Sequence, residues 1–266
     1  MRHPTDNRIH ISELKAMARS PAHYRLACES AREVTRPMTV GAVADAMVFG
    51  DRGYAVYPGK VRNGKEWEAW SAANAGKFQC IGSEYEDAKR VATSVLTDPI
   101  ARQLLAGGEY QRTIQWEAYG LPMAAGLEGQ RGGIDLIGRG CALTDGEPFL
   151  ADMKVTQSTE PSEFARHAWK MLWHCQGAAY LDACEALAIP AKRFYLIGVE
   201  ASSGVVTVLP VSPAAIEAGR KSLHRWAEML RQCEREDRWP GYVDGMAEPM
   251  DVPEWEREED GELETR

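Results

Sequence analysis

The chain reads as an α/β (α+β) domain, a central mixed sheet flanked by helices, and three observations predict this. Helix-patterned segments precede a cluster of short alternating apolar stretches spanning residues 113–156, a long amphipathic segment follows it, and a further strand pair and helix close the chain. The 266 residues are 44% hydrophobic, enough to bury one sizeable core. Layered sheet-on-helix packing is the arrangement that buries such a succession of elements.

Taken in order, helices are predicted at 11–30 and 40–50, followed by a loop-rich stretch at 54–76 punctuated by Pro58-Gly59 and Asn63-Gly64. A helix spans 82–105. Strands are predicted at 113–118, 122–127, 130–137 and 149–156. The segment 158–187 carries Phe164, Ala168, Leu172 and Ala179 at helical spacing, opens with Ser158-Thr-Glu-Pro161 and stops before Pro190, so it predicts one long helix. Strands at 193–200 and 205–210 turn around Ala201-Ser-Ser-Gly204, and a helix at 212–236 begins Ser-Pro. Residues 1–250 are expected to form one domain, with a helical elaboration in 1–110 and the core in 111–250. Trp67, Trp70, Trp169, Trp173 and Trp226 are read as core residues, with contact to nucleic acid an alternative for Trp67.

Gly133-Ile-Asp135 followed by Asp152-Met153-Lys154 carries the chemistry. In a regular hairpin centred between Leu143 and Thr144, Asp135 falls opposite Asp152, with Cβ atoms about 4.5–5.5 Å apart. Lys154 shares the face of Asp152 because side chains alternate with period two. Two carboxylates and an ammonium so placed suit a hard divalent ion and its water. An ordinary cross-strand ion pair between Asp135 and Lys154, with Asp152 capping a turn, is the alternative that spacing alone leaves open. Gln176 and Tyr180 are four apart and share one helix face, where they would hydrogen-bond a phosphate, a water or Lys154. His167 and His174 are seven apart on the same helix; packing or surface roles suit both, and His174 stands near enough to Gln176 to line a substrate groove.

The net charge of −8 is concentrated in residues 251–266, where eight acidic side chains face two arginines, so the rest of the chain is close to −2. That tail is expected to be disordered. Lys15, Arg19, Arg25, Arg62, Lys65 and Lys77 are candidates for a basic groove on the remainder. The six cysteines are scattered without a Cys-x-x-Cys, which argues against structural zinc or an iron–sulfur cluster. No apolar run reaches membrane-spanning length and the first residues lack a signal-peptide core, so a cytoplasmic location is expected.

Gly133-Ile-Asp135, Asp152-Met-Lys154-Val-Thr156, Phe164 and His174-Cys-Gln176-Gly-Ala-Ala-Tyr180 resemble the PD-(D/E)XK nuclease superfamily, in its RecB-like branch and among phage exonucleases similar to exodeoxyribonuclease VIII (RecE). The resemblance extends to Ile11-Ser-Glu-Leu14, Ser20-Pro-Ala-His-Tyr24, residues 41–49, Arg62-Asn-Gly-Lys65-Glu-Trp67, Glu109, Trp239-Pro-Gly-Tyr242 and Pro253-Glu-Trp255. It implies a restriction-endonuclease-like core and a 5′-to-3′ exonuclease on double-stranded DNA ends, acting in phage-type recombination with Mg²⁺ or Mn²⁺. In that reading Asp135, Asp152 and the Met153 carbonyl hold metal, Lys154 positions water, Gln176 and Tyr180 hold the lysine or the phosphate, and Arg62, Lys65 and His174 contact substrate. A single-strand annealing protein and a homo-oligomeric ring are the implied partners. Asp45 stands where the family has a metal-reaching histidine, so it is either a substitute oxygen ligand or the mark of a catalytically silent DNA-binding or partner-binding module.

Overall fold

The computed structural model describes residues 7–30, 34–50, 53–126, 133–243 and 245. The acidic tail lies outside them, as do the first residues of the strand expected at 130–137. The elements run β1 (Ile9–His10), α1 (Ile11–Leu14), a 3-10 turn, α2 (Pro21–Glu29), α3 (Arg36–Phe49), β2 (Tyr54–Tyr57), α4 (Gly64–Ala73), β3 (Phe78–Ile81), α5 (Gly82–Thr97) and α6 (Pro99–Leu105). Then come β4 (Glu109–Arg112), β5 (Ile114–Ala118), β6 (Leu121–Ala125), β7 (Ile134–Gly138), β8 (Phe149–Thr156), α7 (Pro161–Lys170), α8 (Trp173–Ala186), β9 (Arg193–Glu200), β10 (Val206–Val211) and α9 (Pro213–Glu236).

The fold is the expected mixed α/β arrangement with sheets flanked by helices. A five-stranded sheet has the order β10-β9-β8-β7-β4, antiparallel except where β8 and β9 run parallel. Along β8 the side chains alternate strictly. Phe149, Ala151 and Met153 enter a core with Val40, Val43, Val91 and Leu104 of α3, α5 and α6. Leu150 faces the other way, into a core with Ala178, Leu223 and Trp226 of α8 and α9. Asp152 and Lys154 share the parity of Leu150 and therefore point to the α8 side.

Several expectations change: the helix expected at 11–30 is α1, a 3-10 turn and α2, and the loop-rich stretch at 54–76 holds β2 and α4. The strands expected as one meander are divided: β5 and β6 pair with β1 in a separate three-stranded sheet, and β4 takes the edge beside β7. A boundary between residues 110 and 111 would cut β4, and β1 ties the N-terminal segment to β6, so the elaboration is woven into the core. The helix expected at 82–105 ends at Asp98, because Pro99 restricts the residue before it, and the Asp98 carboxylate caps α6 by accepting from Ile100 N and Ala101 N at 2.9 and 2.8 Å. The helix expected at 158–187 is two helices, broken where Leu172 takes φ 56°. Met171 N and Leu172 N close the end of α7 on His167 O and Trp169 O, and α8 restarts in a new direction.

That restart brings a small-residue face of α8 onto α9. A Cβ at Gly219 of α9 would lie 2.7 Å from the His174 carbonyl oxygen, 3.0 Å from Ala178 Cβ and 3.1 Å from Cys175 Cα. Two of these atoms are backbone, so α8 itself would have to shift. Gly219→Ala is expected to lower stability by about 1–3 kcal/mol through overpacking, read as a fall in the urea midpoint with unchanged slope.

Candidate active site

The β7–β8 register pairs Ile137 with Leu150 and Leu136 with Ala151, and its continuation sets Asp135 opposite Asp152, as the hairpin argument expects. The main-chain ladder stops there. Instead, Met153 N donates to Asp135 Oδ2 at 3.0 Å. Asp135 Oδ1 accepts from Gln111 Nε2 at 2.9 Å. Gln111 lies on β4 between the Tyr110–Leu136 and Arg112–Ile134 pairs, so it faces Asp135 across the strands. Its φ is 50°, a left-handed conformation costing about 1–2 kcal/mol for a residue with a Cβ. Strain of this kind concentrates where surrounding structure dictates a side chain's placement.

Asp152 is met from α8. Its Oδ1 accepts from Gln176 Nε2 at 3.2 Å, and the same amide reaches the Tyr180 hydroxyl at 3.3 Å. Lys15, from the 3-10 turn after α1, donates to Gln176 Oε1 at 3.3 Å. Gln176 thus links an ammonium on one side to a carboxylate on the other. Lys154 Nζ forms an ion pair with Asp152 Oδ2 and stands 5.5 Å from the centre of the Trp173 ring.

Asp135 and Asp152 are 8% and 3% exposed. Two carboxylates in so dry a place cost several kcal/mol unless compensated, and Lys154 offsets the charge of Asp152. Burial, then Asp152 and Asp135, push the Tyr180 phenol up, so it stays protonated as a hydroxyl. Burial, followed by the charge of Lys15, pushes His174 below the ordinary histidine range. The His174 ring is 6% exposed, with Nδ1 buried and unpartnered and Nε2 3.4 Å from Cys175 Sγ.

The structure therefore brings Asp135, Asp152, the Met153 main chain, Lys154, Gln176 and Tyr180 together, with His174 beside them on α8. Other candidates lie elsewhere. Arg62 forms an ion pair with Glu84 and donates to Gln79 O at 3.3 Å; Glu84 is 2% exposed and also accepts from Ile81 N at 2.9 Å. Arg62 is thereby engaged in neutralising a buried carboxylate at the start of α5. Lys65 is exposed on α4. Asp45 is half-buried on α3, in the helical layer across the sheet from α8. Among the described residues no three His, Cys, Asp or Glu side chains form a metal-holding group, so Asp45 does not complete one with Asp135 and Asp152.

Gln111 escaped the sequence reading. A single glutamine in a short strand carries no mark of its role. Lys15 was legible as a basic residue near the N-terminus but not as the partner of Gln176.

The buried neutral His174 gives a pH signature. Its folded pKa is depressed, so its contribution to stability is complete above the ordinary value of 6.5 and is lost as pH falls from there toward the folded value. His174→Phe is expected to flatten this limb, checked by urea midpoints of both proteins between about pH 7.5 and 5.

No family model matches the chain, and no curated protein matches it. Among solved structures, a protein from Eubacterium rectale provisionally assigned as an exonuclease is similar, with a TM-score of 0.58 and 11% identity, covering 93% of this chain and 91% of that one. At that identity the likeness is one of fold, and it extends over nearly the whole of both chains: the mixed α/β core that presents Asp135 and Asp152 is built on the same architecture.

Proposed function

We propose that the chain is a metal-dependent deoxyribonuclease of the PD-(D/E)XK type that hydrolyses DNA phosphodiester bonds from the ends of linear duplex. The observation that carries this reading is the buried carboxylate pair, Asp135 facing Asp152 across the strands, with Lys154 paired to Asp152 on the same face. The oxygen-rich donor set fits a hard divalent cation such as Mg²⁺, with Mn²⁺ a substitute. Asp135, Asp152 and the Met153 carbonyl would hold it. Such an ion, when bound, supplies Lewis acidity and lowers the pKa of a bound water.

The chain's own groups supply the rest. Gln111 and Met153 N–H fix the Asp135 carboxylate, and Gln176 fixes Asp152, so neither rotates away when a phosphate arrives. The Lys154 ammonium orients the attacking water and stabilises negative charge developing on the phosphate oxygens. Lys15 adds a second positive charge behind Gln176. The protonated Tyr180 hydroxyl holds the amide in place. The 5′-to-3′ polarity, the role in phage-type recombination, the annealing-protein partner and the ring oligomer are carried by the sequence resemblance, and the fold likeness to a provisionally assigned exonuclease favours end-dependent cleavage.

Incubation with linear and circular duplex in Mg²⁺, Mn²⁺ or EDTA tests the reading. Linear DNA is expected to be degraded, circular DNA spared and EDTA to stop the reaction. Asp45 in place of the family histidine favours one rival, a silent DNA-binding module, and binding without cleavage in any metal would select it.

Asp152→Ala and Lys154→Ala are each expected to lower cleavage by about 10³-fold or more with unchanged far-UV circular dichroism, since groups acting as one unit fail together. Near-normal activity in either variant would remove this site from the account. Gln111→Ala is expected to lose about 10–100-fold, the usual cost of an outer partner of a metal ligand, with part of the loss recovered at higher Mg²⁺ in a titration of the initial rate.

A further inference from the structure

Trp169 is the anomaly in the packing. It falls on the last turn of α7, and as a tryptophan it is expected in the core, yet it is 54% exposed. It is not loose. Its ring lies parallel to the His174 ring, 4.0 Å between centroids and 4° between planes, and His174 is itself buried. One face of the indole is therefore fixed against a rigid neighbour. The other face accounts for its exposure.

The surroundings are cationic. Arg166, three residues before Trp169 on the same helix face, and Lys170, the residue after it, are both exposed; neither forms an ion pair among the described residues, and Arg166 feels the charge of Glu160. On the other side, His174 feels the charge of Lys15, and Lys15 donates to Gln176, which donates to Asp152. His174 thus stands between the exposed indole and the Lys15–Gln176–Asp152 hydrogen bonds on the same end of α8. The acidic residues of α7 are at its opposite end, where Glu160 caps the helix by accepting from Glu163 N at 2.8 Å.

A pre-oriented aromatic plane between cations is the surface that holds an unpaired nucleobase: the ring takes the base and the cations take its flanking phosphates. The exposed indole therefore sits beside two exposed cations of its own helix and next to the carboxylate site. We propose that Trp169 is the stacking platform for a nucleobase near the DNA end, placing the adjoining phosphate at Asp135, Asp152 and Lys154. Trp169 is a positioning residue, with Arg166 and Lys170 holding the neighbouring phosphates. The proposal rests on the nuclease reading above and adds to it a contact with the base, which the carboxylate site alone does not require.

The test measures binding and cleavage separately. Binding is measured in EDTA to a duplex with intact ends and to a series with a single abasic nucleotide at successive terminal positions; cleavage of the intact duplex is measured in Mg²⁺. For the wild-type protein, one abasic position is expected to weaken binding by about 5- to 150-fold, the range for losing one base–aromatic stack. Trp169→Ala is expected to bind intact DNA weaker by a similar factor and to lose its sensitivity to that abasic position, with KM raised more than kcat is lowered. Trp169→Phe is expected to restore most of both. Wild-type cleavage with Trp169→Ala binding intact and abasic ends as the wild type does would overturn the platform and leave the nuclease standing. A change in oligomeric mass on Trp169→Ala, without a change in abasic sensitivity, would place the ring in an interface between copies and overturn the proposal too. Neither cleavage nor DNA binding by the wild type would remove the nuclease reading and the platform with it.

Discussion

A carboxylate buried in the middle of a sheet has to be answered by whatever surrounds it, and Asp152 sets that requirement for this fold. It sits on the central strand β8, between Leu196 of β9 on one side and the position of Asp135 on the other. Water cannot solvate it. Its hydrogen-bond donor therefore comes from α8 as the Gln176 amide, its counter-charge from Lys154 two residues on, and the orientation of Gln176 from Lys15 at the far N-terminal end of the chain. Each answer fixes an element: α8 must lie on this face, and the segment carrying Lys15 must cross over it. The separate sheet that joins β1 to β6 is the means by which that segment is held.

The layers are coupled as well. Gly219 lets α9 approach the first turn of α8 closely enough to touch the main chain of His174 and Cys175. The same turn carries Trp173 under Lys154 and His174 under Trp169. Close packing on the outside of α8 therefore fixes the angle at which Gln176 meets Asp152. Interiors this dense transmit displacement instead of absorbing it.

The legible part of the site was the part written in strict periodicity. The two-residue alternation and a turn centred between Leu143 and Thr144 were enough to align Asp135 with Asp152 and to put Lys154 on the same face. A four-residue spacing put Gln176 with Tyr180. What stayed hidden depended on contacts distant in sequence or on non-repeating backbone. Gln111 becomes a partner of Asp135 only because its residue turns left-handed in an edge strand, and Lys15 becomes a partner of Gln176 across 161 positions. The apolar spacing of 158–187 continues through Leu172, so periodicity alone does not reveal the break. Arg62 shared a motif-like block with Lys65, but the buried Glu84 claims it. A local pattern records which face a residue takes; it does not record which distant charge will compete for it.

The parallel pairing of β8 with β9 has a consequence for how the molecule assembles. The β7–β8 hairpin closes through a short connection and brings Asp135 and Asp152 face to face by local contacts. β9 can join only after α7 and α8 have crossed over the sheet, and such non-local closure is slow. Loop-closure entropy therefore favours forming the acidic pair before Gln176 is docked on it and before Leu196 seals its other side. In that interval the two carboxylates repel one another in open solvent. A one-residue slip of either strand, which sends one of the two carboxylates to the opposite face, would relieve that repulsion, so the docking of α8 is what holds the register that sets them side by side.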